Sequence, residues 1–314
     1  MKKRFLSLML SAMLLLTACG QTPPAQQADD DTLTIVATTY PIYLFANSVV
    51  GDVEGVEVLR LDTGSTSCLH DYNLTVNDMK KIEKADVIAM NGVGLEEFME
   101  DALSSSDALV IDCSEGVELL ENASHHHDED DHSHDGHDHG HFDPHYWMDP
   151  MNVHVMARNL ADGLIALQPE HAQRYESNYE DAEVFFRTLN HNLEQMVQDV
   201  EITGLITFHD GFQYFAHAYD LPLLESIEEE AGSEASAKEI TEITGLVKKH
   251  RIPVIFTEVN GSDATANAIA RETGCAVAQL TMLMSPVEGT IEDYRLGMLA
   301  NMEAVVHGFG EETA

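Results

Sequence analysis

"PEHAQRYESNYEDAEVFFRTLNHNLEQMVQDVE", Pro169 to Glu201, decides the architecture. From Glu170 onward it holds neither Gly nor Pro. Tyr175, Tyr179, Ala182, Phe186, Leu189, Leu193, Met196 and Val200 recur at steps of three and four, so one apolar face runs the whole length. Pro169 suits a first helical turn, where its missing N–H has no partner to lose. About 30 residues at ~1.5 Å each reach roughly 45 Å, enough to cross two lobes. The spacing predicts one continuous packed helix. A coiled-coil seam is the rival, but about four heptads lie between two α/β patterns that can cover the apolar face.

Toward the N-terminus, "LTIVAT" (Leu33–Thr38), "VEVLRL" (Val56–Leu61), "DVIAMN" (Asp86–Asn91) and "ALVIDC" (Ala108–Cys113) read as buried strands. Helical stretches separate them at Ile42–Val50, at "TVNDMKKIEKA" (Thr75–Ala85) and at Leu95–Leu103. In the second of these, Val76, Met79 and Ile82 are spaced to share the buried face. Toward the C-terminus, "GLITFH" (Gly204–His209), "LPLLES" (Leu221–Ser226), "IPVIFTE" (Ile252–Glu258) and "CAVAQL" (Cys275–Leu280) repeat the scheme. The helix between the second and third of them sets Ile240, Ile243, Val247 and His250 along one side. Alternating strand and helix predicts an α/β fold: two lobes, each a mostly parallel sheet flanked by helices, joined by one long backbone helix. The divisions are an N-terminal lobe at 32–168, a linking helix at 169–201 and a C-terminal lobe at 202–314. A ligand would sit between the lobes, near the C-terminal ends of strands.

The chain has 314 residues, 44% of them apolar, and a net charge of -39 from 16 Lys+Arg against 55 Asp+Glu. Such a surface excludes nucleic acid as a partner and keeps the protein soluble. Lys2, Lys3 and Arg4 precede the apolar run Phe5–Leu16, which is short for a membrane span. "LTACG" (Leu16–Gly20) resembles a bacterial lipobox. Residues 1–18 are therefore expected to be a lipoprotein signal peptide, with Cys19 carrying lipid. Residues 19–31, polar and with two prolines, form a flexible stalk. The expected location is extracytoplasmic, anchored to the cell membrane. Cys68, Cys113 and Cys275 show no metal or redox spacing. They read as buried free thiols, with one disulfide left open.

The histidines fall into two kinds. His125, His126, His127, His132, His134, His137, His139 and His141 lie among acids and glycines in a loop, 124–141, that cannot bury anything. Such a loop gathers soft or borderline cations weakly. "FDPHYWMDP" (Phe142–Pro150) is different: aromatic, bracketed by prolines and holding the chain's only Trp. His145 there is held rigidly, as a tight site requires. Two more histidines stand where a doubly wound fold places binding residues. His70 follows the second strand, in "GSTSCLHDYNLTVND", and His209 ends the first strand of the second lobe.

These segments resemble the metal-binding solute-binding lipoproteins of bacterial ABC transporters, especially the zinc-specific branch. "HDYNLTVND" (His70–Asp78) resembles that family's His-x-Tyr-x-x-Thr segment, and "DPHYWMDP" (Asp143–Pro150) its Asp-Pro-His-x-Trp-Leu-x-Pro segment. "TFHDGFQYFAHAYDL" (Thr207–Leu221) resembles its Phe-His-Asp-x-Phe-x-Tyr segment. "IFTEVNGSDATANAIARETGCAV" (Ile255–Val277) resembles its late strand-helix-strand. The resemblance covers nearly all of the mature chain. It implies that His70, His145 and His209 coordinate the metal, and that Zn2+ is the transported ligand, since manganese relatives usually carry a carboxylate as the third ligand. Three imidazoles suit zinc; manganese prefers more oxygen. Thr281 falls where many relatives carry Asp or His, and a neutral hydroxyl is a poor zinc ligand. The fourth corner is then water, Glu258 or a loop histidine. Glu258 at its strand end also reads as a carboxylate orienting an imidazole, or as a plain ion-pair partner.

The implied partners are a membrane permease and its ATPase, served by a monomer. A metallohydrolase is the competing class, since three histidines with an open position also describe catalytic zinc. The chain has no H-E-x-x-H, no G-x-S-x-G and no phosphate-binding loop. A manganese or other divalent-metal carrier of the same class, or a surface adhesin, is the alternative within the family.

Overall fold

The computed structural model describes residues 32–63, 69, 72–122, 141–227 and 236–310. The leader, the stalk with Cys19, Cys68, His70 and every insert histidine except His141 lie outside the described residues. No helix among the described residues is long and apolar enough to cross a membrane.

Two four-stranded sheets, both fully parallel, carry the fold. The first orders β2 (Val56–Arg60), β1 (Leu33–Ala37), β3 (Val87–Met90) and β4 (Leu109–Asp112) side by side. The second orders β6 (Leu223–Ser226), β5 (Leu205–Thr207), β7 (Val254–Glu258) and β8 (Ala276–Leu280) in the same pattern. All eight strands fall inside the apolar runs that predicted them. Burial on both faces explains why β3, and β7 as far as Phe256, read as apolar runs rather than alternating ones.

The helices are set by their ends. Thr39 accepts the Ile42 N–H at 3.3 Å and starts α1 (Tyr40–Val50). Asn178 donates to the carbonyls of Val49 and Val50 at 2.9 and 3.0 Å, covering the other end. Gly51 follows at φ +58, and a Cβ there would stand 2.6 Å from Asn178 Nδ2. Thr75 and Asp78 form a reciprocal cap on α2 (Val76–Lys84), and Ser236 and Glu239 do the same for α7 (Ala237–His250).

The expected backbone helix is present with later bounds. A 3₁₀ turn at Pro169–His171 leads into α5 (Ala172–Val197), 26 residues or about 39 Å long. Tyr175, Tyr179, Ala182, Phe186, Leu189 and Leu193 form its buried face. It is paired with a helix the pattern did not announce, α4 (Pro150–Leu167), capped by Asp149 and led by Pro150. The short turn between them makes an antiparallel hairpin. α5 also packs on α1 and on the last helix, α9 (Ile291–Gly310). Phe186 meets Phe45 of α1 and Tyr294 of α9 edge-on, with ring centres 5.8 Å away in both cases. One continuous core therefore runs from Ile35 and Ala89 in the first sheet, through α4 and α5, to Val254 and Phe256 in the second. Smaller cores lie on the outer faces of the sheets.

Two expectations need correction. Val76 and Met79 do not share the buried face of α2; they are 75% and 46% exposed. Ile82 is buried as expected, but its buried neighbour is Asp78. The Asp78 carboxylate accepts from Asp62 N–H, Tyr72 Oη and Thr75, and those bonds turn its side of the helix inward. The Leu95–Leu103 helix is broken into a 3₁₀ turn, Glu97–Met99, and a short α3 (Glu100–Ser104). Cys113 and Cys275 are free thiols, as expected from the sequence, with Cys113 buried and Cys275 half-buried.

Candidate metal centre

His145 and His209 come together from opposite halves of the fold. His209 follows β5 in extended conformation (φ -163, ψ 142), just before a 3₁₀ turn at Asp210–Phe212. His145 precedes the 3₁₀ turn Tyr146–Met148 that leads into α4. Both are buried, 9% and 8% exposed. Their ring centres are 5.4 Å apart and their planes cross at 80°, a T-shaped rather than a stacked arrangement. Asp210 joins them: its Oδ1 is 3.8 Å from His209 Nε2. One ligand-type atom each from His145, His209 and Asp210 all lie within 4.8 Å of one another.

Hydrogen bonds and aromatic packing hold the His145 ring in place. Asp143 Oδ1 accepts from the His145 backbone N–H at 2.8 Å and lies 2.7 Å from Nδ1. A carboxylate on Nδ1 fixes ring orientation and leaves Nε2 as the free donor atom. Trp147 packs 5.2 Å from the His145 ring and donates Nε1–H to the Met282 carbonyl at 3.0 Å. Tyr294 Oη donates to the Trp147 carbonyl at 2.8 Å. A Cβ on Gly211 would fall 2.3 Å from Met282 Cε and 2.9 Å from His209 Cδ2, so only glycine lets the methionine close on that ring.

The segment carrying His145 is also held from beneath. Asn91 donates Nδ2–H to the Pro144 carbonyl at 3.0 Å, and its own carbonyl accepts from Tyr146 Oη. Asn91 is fixed by Glu96, whose carboxylate accepts from Asn91 N–H and Thr38 Oγ1 at 2.7 Å and from Gly92 N–H at 3.0 Å.

Burial opposes charge on the His145 ring, but the Asp143 carboxylate, with Asp210 and Glu258 beyond it, outweighs burial and holds its pKa above the ordinary value. Glu258, at the end of β7 and 3% exposed, is pushed up by burial to about 7, with His145 pulling the other way. The pocket thus concentrates negative charge where two imidazoles meet. Two nitrogens and a carboxylate suit a borderline cation such as Zn2+, Ni2+ or Cu2+; Mg2+ and Ca2+ take mostly oxygen.

Of the residues singled out by sequence, the structure brings His145 and His209 together and places Glu258 within electrostatic reach of His145. His70 lies outside the described residues, while Tyr72 beside it is held through Asp78. Thr281 is turned away toward α9: its Oγ1 accepts from Leu283 N–H at 3.1 Å, and its Cγ2 lies 3.5 Å from where a Cβ of Gly297 would be. His141 is exposed, 3.6 Å from Glu121 at the base of the insert. Asp210 was missed as a ligand candidate. Its signal was its place directly after His209 at a strand end.

Fold and site together define a two-lobed α/β protein with a candidate metal centre between its halves. The chain belongs to the family described as ZnuA, zinc-uptake complex component A, periplasmic, whose sequence model matches residues 35–308. It is 29% identical over 323 residues to the zinc-binding protein AdcA of Streptococcus pyogenes, a match covering 97% of this chain and 61% of that protein. It is 28% identical to the high-affinity zinc uptake system protein ZnuA of Bacillus subtilis, covering 87% of this chain and 86% of that one. A crystal structure of ZnuA superposes with a TM-score of 0.74 at 26% identity, covering 89% of this chain and all of the other. The chain thus spans about three fifths of the length of the AdcA relatives it matches. The family is a binding component of transporters, not an enzyme family.

Proposed function

We propose that this protein captures Zn2+ outside the cytoplasm and hands it to an ABC permease whose ATPase drives import. The observation that carries the reading is the meeting of His145 and His209, supplied by opposite halves of the fold, both buried and with ring centres 5.4 Å apart. His70 completes a three-imidazole set. Asp210 or Glu258 supplies the fourth donor or steadies a ring. The zinc-binding relatives support the choice of metal. Neutral imidazole nitrogens at about 2.0–2.1 Å favour Zn2+ over Mn2+.

The His-rich insert, 124–141, gathers cations before the tight site captures one, and Cys19 anchors the chain to the membrane through lipid. The protein works as a monomer and performs no hydrolysis. The interlobe core around α5 resists wide hinge opening, so release proceeds by local rearrangement of the loops that carry the ligands.

The test is a Zn2+ titration of metal-free protein against a chelator of known affinity. One tight equivalent is expected, lost in His145→Ala and in His209→Ala and kept when 124–141 is deleted. Tight binding that survives both substitutions would end this reading. Tighter binding of Mn2+ than of Zn2+ would replace the metal but not the class.

A further inference from the structure

We propose that Tyr214 is a positioning residue that fixes the distance between His145 and His209 by tying together the two halves that supply them. This rests on the metal-capture reading above. α6 (Gln213–Ala218) begins directly after the Asp210–Phe212 turn that follows His209. Its second residue, Tyr214, is 2% exposed. The phenol donates to the Asp143 carbonyl at 3.0 Å and accepts from the Leu120 N–H at 2.9 Å. The neighbouring Gln213 donates Nε2–H to the Glu121 carbonyl at 2.8 Å.

Those three bonds grip both sides of a small antiparallel stem. Glu121 bridges to Phe142, Asn122 N–H donates to the His141 carbonyl at 3.1 Å, and Asp143 N–H donates to the Leu120 carbonyl at 3.0 Å. Asp143 in turn holds His145 by its backbone N–H and by Nδ1. The connection closes on itself: His209, one turn of chain, Tyr214, Asp143, His145. The Tyr214 hydroxyl bonds to backbone, and through it the segment after His209 is tied to the segment that leads to His145. Tyr146 packs edge-on against the Tyr214 ring with centres 6.4 Å apart, so the phenol has one seat.

A cation that needs both imidazoles at about 2 Å tolerates little drift between them. Loss of such a supporting contact weakens metal binding by about 10–100-fold. Tyr214→Phe removes the hydroxyl and keeps the ring. Tyr175→Phe is the control, because Tyr175 Oη bonds Gln168 at the far end of the helix hairpin.

The experiment measures Zn2+ affinity by chelator competition, the visible spectrum of the Co2+-loaded protein and the thermal midpoint of each metal-free chain. Y214F is expected to bind Zn2+ about 10–100-fold more weakly, with a changed Co2+ spectrum. Y175F should match wild type in both. Gln213→Ala, which removes one of the three bonds and leaves the core intact, should show a smaller loss in the same direction; it carries the test if Y214F does not fold. Affinities within twofold of wild type in both Y214F and Q213A overturn the proposal. So does weaker binding with an unchanged Co2+ spectrum, or an equal loss in Y175F. If wild-type protein holds no tight Zn2+, the metal-capture reading falls and this inference with it; if only the variants match wild type, the inference alone falls.

Discussion

Glu96→Gln separates a buried carboxylate's charge from its shape. Glu96 is 2% exposed and takes three hydrogen bonds, one of them from the residue that holds the His145 segment. Burial nevertheless pushes its pKa from 4.5 to about 7, against the pull of those donors. A folded pKa above the unfolded one means stability that is fully present below about 4.5 and lost as pH rises through about 7. At ~1.36 kcal/mol per unit the whole shift corresponds to about 3 kcal/mol, and roughly 2–3 kcal/mol of it disappears between about pH 5 and pH 8. Glutamine does not titrate. It turns an amide N–H toward one of the three donors, which costs about 1–3 kcal/mol at every pH. Wild type should therefore exceed E96Q most at about pH 5, and the gap should shrink by roughly 2–3 kcal/mol by about pH 8. Urea unfolding of chelator-treated protein, followed by the fluorescence of Trp147, measures both chains at each pH. Subtracting one from the other cancels the remaining carboxylates and histidines. A gap that stays constant with pH, or widens toward alkali, refutes the reasoning.

Asp143→Asn removes the anion from His145 Nδ1; the His145 pKa should drop, seen in its NMR titration, and Zn2+ affinity should fall about 10–100-fold in chelator competition. Because His145 already titrates above the ordinary value, proton competition starts early. Zn2+ affinity should decline as pH falls, beginning above about 6.5 and steepening toward about tenfold per pH unit for each imidazole that must shed a proton. A pH-independent affinity in the same titration would contradict this. Phe186→Ala should cost about 3–5 kcal/mol in urea unfolding, since the ring is fully buried against both Phe45 and Tyr294. A loss under about 1 kcal/mol would mean α5 is not the shared core of the two halves.

The sequence by itself determined the elements. Strand cores such as "VIAM" (Val87–Met90) and "VIFTE" (Val254–Glu258), and the face of α5 from Tyr175 to Leu193, are written in local periodicity, which depends only on neighbours along the chain. The types of donor were legible too, because imidazoles beside Pro and Trp or at a strand end announce themselves. α4 was less so: its start, Asp149-Pro150, is a helix-opening pair that a rigid aromatic segment concealed. Periodicity could not say which side of α2 has a neighbour, so Val76 and Met79 were assigned inward while a hydrogen-bonded Asp78 took that place. Only the tertiary structure decided which histidines converge, that Asp210 stands with them, and that burial raises Glu96 and Glu258 together. Those properties belong to distances across the cleft and to excluded water, set when two sheets close on a common core and not by any single stretch of chain.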